Sequence, residues 1–428
     1  MKILIKNGRV IDPKNERDDI LDIFINGSIV EKIDKNIREK GENIHVIDAS
    51  GLIVAPGFID VHVHLREPGY EYKESIKTGT MAAVKGGFTS VVCMANTDPV
   101  NDNKSVTEYI LRKTKLEGVC RVLPCGAITK GLNGKELAEI GEMYEAGIVA
   151  ISDDGKSVRN AETLRKALEY TKLFGIPVIS HCEDEDLSKG FVHEGGASVI
   201  TGIDPIPAIA EEVIVKRDMT IAKYVKAPIH LTHISSKGSV EAIAEMKRVY
   251  NLVTCDTCPH YFTLTDRATL SFDTNTKVNP PLRSKEDVKA IKEGLREEII
   301  DIIATDHAPH DLTSKDVEFD IASSGISGLE TALGLSMALV HEGVLSINML
   351  IKKFTENPSK MLNLPYVGLA PGGSADVIVF DPNYEWTVDK NSFVSKGKNT
   401  PFNGWRLKGK NLLTIVDGKT AYRDSRFK

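Results

Sequence analysis

Eight short apolar runs recur along the middle of the chain, and each is followed by a longer stretch with apolar residues spaced three and four positions apart. The runs occupy residues 58–62, 90–94, 121–125, 148–152, 177–181, 229–233, 252–256 and 302–306. The helices predicted between them include residues 74–85, 161–174, 209–225 and 240–250. Alternation of this kind favours a parallel sheet. Eight units over about 250 residues predict an α/β fold of the closed (β/α)8 TIM-like type, with a doubly wound open sheet as the alternative.

Both ends of the chain have a different pattern, in which short apolar runs alternate with turn residues. The runs occupy residues 3–5, 22–25, 29–33 and 45–48 at the start, and 376–381, 386–388, 413–416 and 420–423 at the end. We therefore expect residues 1–55 and 365–428 to form one small β-sandwich domain. It would dock on a barrel made of residues 56–364.

Composition and charge exclude several classes of protein. The net charge is −6, from 54 basic and 60 acidic residues without a long run of one sign, so no nucleic-acid or anionic-membrane partner is predicted. No stretch approaches the roughly 20 apolar residues that span a bilayer, and the N-terminus has the pattern of a strand rather than of a secretory signal. Six scattered cysteines do not make a disulfide framework. We predict a cytoplasmic protein that acts on a small molecule.

Four histidines and an aspartate stand at the ends of predicted barrel strands. His62 and His64 share one face of the first strand, because alternate strand residues point the same way. His181, His233 and Asp306 each end another apolar run. Barrel active sites lie at this carboxyl rim, and histidine is the commonest protein ligand for zinc. The pattern predicts a metal centre.

The fourth predicted strand ends in two adjacent carboxylates, Asp153 and Asp154. Adjacent strand residues face opposite ways, so only one of the two can join the predicted centre. The pattern alone does not decide which.

Seven segments together resemble a known family. They are residues 56–69 (PGFIDVHVHLREPG), 94–97 (MANT), 152–155 (SDDG), 180–183 (SHCE), 232–235 (THIS), 277–283 (KVNPPLR) and 304–310 (ATDHAPH). Together they are highly specific, and over essentially the whole chain the sequence resembles the amidohydrolase superfamily, within it the bacterial-type (class I) dihydroorotases.

The resemblance implies a zinc site with one or two ions. His62, His64 and Asp306 would hold one ion. His181 and His233 would hold a second where it is bound.

The resemblance also implies that Asp154 takes the bridging place that many superfamily members give to a carboxylated lysine, with Asp153 as the alternative. An aspartate reaches less far than a lysine carbamate. Either the fourth strand lies closer to the metals, or the second ion binds weakly.

The substrate residues that the resemblance implies are Arg66, Asn96, Asn279, His310, Ser324 and Gly325. The first two and His310 would surround the dihydroorotate carboxylate, which a guanidinium can bind bidentately. Asn279 and the backbone of Gly325 would contact the ring. The family often has Pro-Phe before this glycine, where the chain has Ser323 and Ser324. Residues 311–324 are predicted to form a mobile loop over the site.

The activity implied is opening or closing of a dihydropyrimidine ring, with Asp306 as general base and then acid. A sister cyclic amidohydrolase, such as an allantoinase or hydantoinase, is one alternative, although those enzymes usually carry the bridging lysine. A non-catalytic partner of aspartate transcarbamoylase is another, although such subunits typically lose metal histidines. A homo-oligomer and a complex of the active enzyme with aspartate transcarbamoylase both remain open.

Overall fold

In the computed structural model of the protein, residues 2–39 and 43–427 are described. Numbered in chain order, the strands are β1 (Lys2–Asp12), β2 (Arg17–Asn26), β3 (Ile29–Asp34), β4 (Ile44–Asp48), β5 (Ile53–Pro56), β6 (Phe58–Val63), β7 (Phe88–Cys93), β8 (Arg121–Gly126), β9 (Ala150–Ile151), β10 (Val178–Ser180), β11 (Val192–His193), β12 (Pro205–Ile206), β13 (Ile229–Leu231), β14 (Val253–Thr257), β15 (Ile302–Ile303), β16 (Val377–Thr387), β17 (Arg406–Val416) and β18 (Lys419–Arg423). The α-helices are α1 (Ile76–Gly86), α2 (Lys104–Glu117), α3 (Ile140–Ala146), α4 (Ala161–Thr171), α5 (Gly196–Thr201), α6 (Ile209–Val225), α7 (Lys237–Lys247), α8 (Pro259–Thr263), α9 (Lys285–Arg296), α10 (Ala332–His341), α11 (Ile347–Phe354) and α12 (Glu356–Met361).

Eight parallel strands form the barrel in the order β6-β7-β8-β9-β10-β13-β14-β15. Each of the eight predicted runs overlaps one of these strands. The first and last strands meet where Val63 bridges His307 and where the Asp60 carboxylate accepts hydrogen bonds from Thr305 N (3.1 Å) and Oγ1 (2.6 Å). The predicted barrel is therefore confirmed, and the open sheet is wrong.

Neighbouring residues of a barrel strand pack on opposite sides of it. Val178 and Ile303 belong to the large apolar cluster that also contains helix residues such as Leu168. Ile179 and Ile302 belong to a separate cluster of strand side chains. This two-residue period is what a sheet closed on itself requires, since one face lines the interior and the other carries the helices.

Both chain ends contribute to one further sheet, of order β18-β17-β16-β5-β1-β2-β3, with β4 pairing alongside β1. The ends join where β5 and β16 run antiparallel. Ile3, Val54, Val379 and Leu413 share one buried cluster, so strands from both ends use the same core. A separate sheet from the two ends is confirmed, whereas the boundaries at 55/56 and 364/365 stay predictions.

Helix starts follow residues whose side chains accept hydrogen bonds from first-turn N–H groups. Six of the α-helices are capped in this way, by Ser75, Asn103, Asn160, Ser236, Ser284 and Ser346. The predicted helix 209–225 coincides with α6, and the bounds of the other three differ from the structure by at most three residues. Among the described residues, no helix combines the length and apolar character needed to cross a bilayer.

A buried ammonium group lies between helix and barrel. Lys353 on α11 is 1% exposed, and its Nζ donates a hydrogen bond to the carbonyl of Ile300 at 2.6 Å. Burial lowers its pKa from 10.5 to about 8, against the opposing charges of Asp301 and Glu298. The folded protein thus holds this proton less tightly than the unfolded chain does.

The stability contributed by Lys353 should consequently rise with pH. Between pH 8 and 10.5 the unfolded chain binds a proton that the folded protein has released, so the free energy of unfolding increases, by about 3 kcal/mol in total. Urea unfolding of the parent and of Lys353→Met between pH 7 and 10.5 should show the variant losing that much relative stability. The control is Lys352→Met, whose side chain is partly exposed and pairs with Glu298. A parent–Lys353→Met difference that does not change with pH would refute this assignment.

Candidate metal centre

The six predicted metal ligands meet at the carboxyl rim of the barrel, and all are buried. They are His62, His64, Asp154, His181, His233 and Asp306, at or just beyond the ends of β6, β9, β10, β13 and β15. The barrel therefore brings together residues that are up to 244 positions apart in the chain (306 − 62).

Asp154 occupies the middle of this group. Its Oδ1 lies 3.2 Å from His62 Nε2, 3.6 Å from His181 Nδ1 and 3.7 Å from His233 Nε2. Its Oδ2 lies 3.5 Å from His64 Nε2. One carboxylate thus faces all four imidazoles, as a group shared between two metal ions would.

Asp306 faces the first two histidines. Its Oδ1 lies 3.1 Å from His64 Nε2 and 3.5 Å from His62 Nε2. Ligand atoms of His62, His64 and Asp306 all lie within 4.8 Å of one another, and so do those of His62, Asp154 and His233. His62 Nε2 is buried without a hydrogen-bond partner. Imidazole nitrogens and carboxylate oxygens are the donors that zinc accepts, so the residues fit a divalent metal.

The carboxylates of Asp154 and Asp306 bring two negative charges into the site. Burial by itself would raise the pKa of Asp154 and of Asp306, but the neighbouring imidazoles outweigh it and hold both pKa values well below their usual range. Conversely, burial opposes the protonation of His62, yet the two carboxylates raise its pKa to about 9. Two ionised carboxylates in a buried cluster require positive charge beside them, from protons or from a metal.

Asp153 does not reach the centre. Its Oδ1 accepts hydrogen bonds from the backbone N–H groups of Ile128 (2.8 Å) and Thr129 (2.9 Å), and its Oδ2 accepts one from the Thr129 hydroxyl. Of the two adjacent carboxylates, the structure places only Asp154 among the histidines.

Hydrogen bonds behind the histidines determine which ring nitrogen faces the centre. Thr232 Oγ1 donates to Asp256 Oδ2 at 2.9 Å, so it accepts from His62 Nδ1 at 2.7 Å. Likewise Asn96 Oδ1 accepts from His64 Nδ1 at 2.9 Å. Both rings therefore donate through Nδ1 and present Nε2 to the carboxylates, and loss of the Nε2 proton would give the form that binds metal.

Three residues of the rim have a left-handed backbone conformation, which residues other than glycine rarely adopt. They are Arg66 (φ 62°), His233 (φ 43°) and Asp306 (φ 44°). Such a conformation costs about 1–3 kcal/mol per residue and persists only where the surroundings hold it. At His233 the Asp256 carboxylate holds this conformation, because it accepts a hydrogen bond from the backbone N–H of His233 at 2.6 Å.

A cavity of about 400 Å³ opens above the centre, a size typical of sites for small molecules. All the predicted substrate residues line it: Arg66, Asn96, Asn279, His310, Ser324 and Gly325. Asn96 therefore both faces the cavity and orients His64.

The wall of the cavity also combines one cation, Arg66, with a neutral imidazole, that of His310. His310 Nε2 donates to the carbonyl of Ser324 at 2.9 Å. Burial and the charge of Arg66 lower the pKa of His310 to about 2, so its ring is uncharged. The Arg66 guanidinium, which also contacts the carbonyl of Pro309 at 3.3 Å, supplies the positive charge for an anionic group here.

Glu183 is a cavity residue for which the sequence reasoning gave no role. Its Oε2 accepts from His181 Nε2 at 2.9 Å and from Asn279 Nδ2 at 3.0 Å. Burial would raise its pKa, but the imidazole lowers it to about 2, so it is a carboxylate. In the sequence, the one indication that Glu183 belongs to the site was its position two residues after His181, the histidine at the end of a strand.

Other cavity residues gave no such signal. Phe191 immediately precedes β11 and Ile206 lies in β12, a pair of strands that was not predicted. Lys277 lines the wall beside them, 4.3 Å from the Phe191 ring centre.

The segment 311–324 lies beside the cavity and is fastened at several points. Lys315 Nζ donates to the carbonyl of Ser323 (2.7 Å), and the carbonyl of Lys315 accepts from Thr274 Oγ1 (2.5 Å). Lys277 Nζ donates to the carbonyl of Asp320 at 2.7 Å. Its mobility stays a prediction.

Comparisons with known proteins agree with this architecture. A family model described as "Dihydro-orotase-like" matches residues 51–239. The chain is 49% identical to a dihydroorotase of Syntrophus aciditrophicus and 51% identical to one of Geobacter metallireducens, over 99% of this chain and 100% of each relative. An L-hydantoinase from Arthrobacter aurescens (TM-score 0.89; 100% of this chain and 97% of that one) and a dihydropyrimidinase from Brevibacillus agri (TM-score 0.86; 100% and 96%) have the same fold at 23% identity.

Replacing the two adjacent aspartates should separate metal binding from folding. Asp154→Asn removes the charge that faces four imidazoles, and we expect zinc affinity to fall by more than about 100-fold, beyond the usual loss for a group that only orients a ligand. The matched control, Asp153→Asn, should retain its zinc and lower stability by about 1–3 kcal/mol. Zinc titration of metal-stripped protein, with thermal unfolding of the same samples, measures both. The reverse pattern would show that the wrong carboxylate has been assigned.

Proposed function

Because the chain belongs to the dihydroorotase family, we propose that it interconverts N-carbamoyl-L-aspartate and L-dihydroorotate in de novo pyrimidine biosynthesis. It is a hydrolase of cyclic amides. One observation carries the specific proposal: four imidazoles and two carboxylates converge at a small cavity that is also lined by the half-buried guanidinium of Arg66. Such a cavity can receive both an amide and a carboxylate.

The metal that we propose is zinc, as one or two ions. His62, His64 and Asp306 would hold one ion, and His181 and His233 a second, with Asp154 shared between them. When bound, zinc supplies water that ionises near neutral pH (pKa about 7) and polarises a carbonyl.

The cavity residues would orient the substrate. The Arg66 guanidinium would bind the ring carboxylate, and the amide of Asn279 would contact the ring. His310 is neutral and can donate or accept a hydrogen bond without adding charge. Because their side chains are held by the contacts described above, little orientational freedom would be lost on binding.

Asp306 would move the proton. In ring opening, a bond forms between water oxygen and the ring carbonyl carbon while the bond from that carbon to the ring nitrogen breaks. The Asp306 carboxylate would take a proton from the attacking water and return it to the departing nitrogen. Its lowered pKa keeps it ionised before the proton is transferred. In ring closure the same steps run in reverse and release water.

Two observations bear on the alternatives. Asp154 stands among the imidazoles where allantoinases and hydantoinases usually have a lysine, which favours the dihydroorotase reaction. All six ligands are kept and gathered, which a non-catalytic subunit would not need. A cytoplasmic location, a homo-oligomer and a complex with aspartate transcarbamoylase stay predictions.

The decisive experiment is cyclisation of carbamoyl aspartate by the purified chain alone, with metal content measured on the same sample. We expect turnover, and loss of more than about 1,000-fold in Asp306→Ala, because both proton transfer and a metal ligand disappear. Asp34→Ala, an exposed aspartate of the end sheet, is the control. A zinc-loaded parent that leaves carbamoyl aspartate and dihydroorotate unchanged but opens hydantoin or allantoin would establish the alternative.

Arg66→Ala tests the carboxylate site. Loss of a charge-assisted contact should raise the Michaelis constant about 10- to 100-fold, with a much smaller effect on kcat because the metal ligands are untouched. Steady-state kinetics in both directions measure the effect, and Arg165→Ala on the surface of α4 is the control. An unchanged Michaelis constant would remove Arg66 from the site.

A further inference from the structure

The connection between β16 and β17 leaves the end sheet and lies against the rim of the barrel. We call residues 394–399 the strap. The N–H groups of Val394 and Ser395 both donate to Glu330 Oε1, at 2.7 and 3.1 Å. The Ser395 hydroxyl donates to Glu74 Oε2 at 2.5 Å. Hydrogen bonds from Val394 and Ser395 thus bind the strap to the barrel independently of its last residue.

The last residue of the strap, Asn399, uses its whole amide group. It is 3% exposed. Its Oδ1 accepts from His310 N (2.9 Å) and from Ser327 Oγ (2.8 Å). Its Nδ2 donates to the carbonyls of Ala308 and Gly325, both at 3.0 Å. An amide offers two donors and two acceptor positions, so this side chain has no freedom left.

These four bonds join two different segments of the rim. One segment runs from the end of β15 to His310, and the other contains Ser324 and Gly325. Both segments line the cavity. They contact each other directly where Ala308 N donates to the carbonyl of Ile326 and His310 Nε2 donates to that of Ser324, both at 2.9 Å. Asn399 adds a side-chain link between them from outside the lining of this cavity.

We propose that Asn399 is a positioning residue for substrate binding, supplied to the barrel by the end sheet. It holds the His310 backbone and the Gly325 carbonyl at the separation that the carboxylate and ring of the substrate require. This inference rests on the proposed function, since it assigns the same cavity to dihydroorotate.

Docking of the strap does not depend on the Asn399 side chain. Ser327 N donates to the backbone carbonyl of Asn399 at 2.8 Å. The single proton of the Ser327 hydroxyl lies within reach of both Asn399 Oδ1 and the carbonyl of Gly397 (3.0 Å), so it can go to Gly397 when the Asn399 side chain is shortened. Both backbone carbonyls remain when the side chain is shortened. Asn399→Ala therefore removes the four side-chain bonds to the two rim segments. It leaves the strap attached and keeps the direct contacts between the segments, such as Ala308 N–H to the carbonyl of Ile326 at 2.9 Å.

The test compares Asn399→Ala with the parent in dihydroorotate hydrolysis and in hydrogen exchange. We expect the Michaelis constant to rise about 10-fold or more, because small displacements of the groups that bind substrate weaken binding strongly. The value of kcat should change less than about 3-fold, because the hydrogen bonds that orient the metal ligands are not altered. Exchange in peptides covering residues 307–327 should accelerate, because His310 N–H loses its acceptor. Asn391→Ala, an exposed asparagine of the same connection, should match the parent in both measurements.

Asn399→Asp is a second variant of nearly identical size. It keeps acceptors for His310 N but sets a carboxylate oxygen against the carbonyls of Ala308 and Gly325, so the Michaelis constant should rise here too. Lower thermal stability with an unchanged Michaelis constant in both variants would overturn the inference and leave the proposed function standing. A zinc-loaded parent without dihydroorotate hydrolysis would overturn the proposed function and the inference with it.

Discussion

Two ionised carboxylates buried among four imidazoles are the constraint on which the rest of the structure depends. Asp154 and Asp306 are nearly inaccessible to water, and their charges would be too costly to bury without positive charge beside them. The neighbouring rings provide it when protonated, and a divalent metal would provide it in their place. A site of this kind cannot be built on one local segment, because each strand end presents only one or two side chains. The closed barrel meets the requirement by directing several strand ends at a single point.

Holding those side chains in place uses free energy gained elsewhere in the fold. His233 and Asp306 have left-handed backbone conformations, and buried hydrogen bonds maintain the arrangement. Asp256 accepts the N–H of His233 and orients the threonine behind His62, while Asp60 joins the first barrel strand to the last. Each of these carboxylates is itself buried and fully engaged, so the removal of one would leave several donors without partners. The polar network beneath the centre is thus as important to its geometry as the ligands are.

The end sheet does more than cover the barrel. Its strands from both chain ends share a core, and the connection from β16 to β17 extends from that core to the substrate end of the cavity. The same overall architecture persists in hydantoinases at 23% identity. The barrel and its attached sheet therefore tolerate wide divergence in sequence.

The sequence by itself determined the eight strands, the end sheet and which histidines stand at the carboxyl rim, because strand period and position at a strand's end are local properties. It left Asp153 and Asp154 open, since adjacent residues differ only in the face they present and the register of the fourth strand depends on its neighbours. The structure alone placed Asn96 behind His64 and joined Glu183 to His181. Contacts between residues far apart in the chain arise only when the barrel closes and the end sheet docks, and no local pattern encodes those distances.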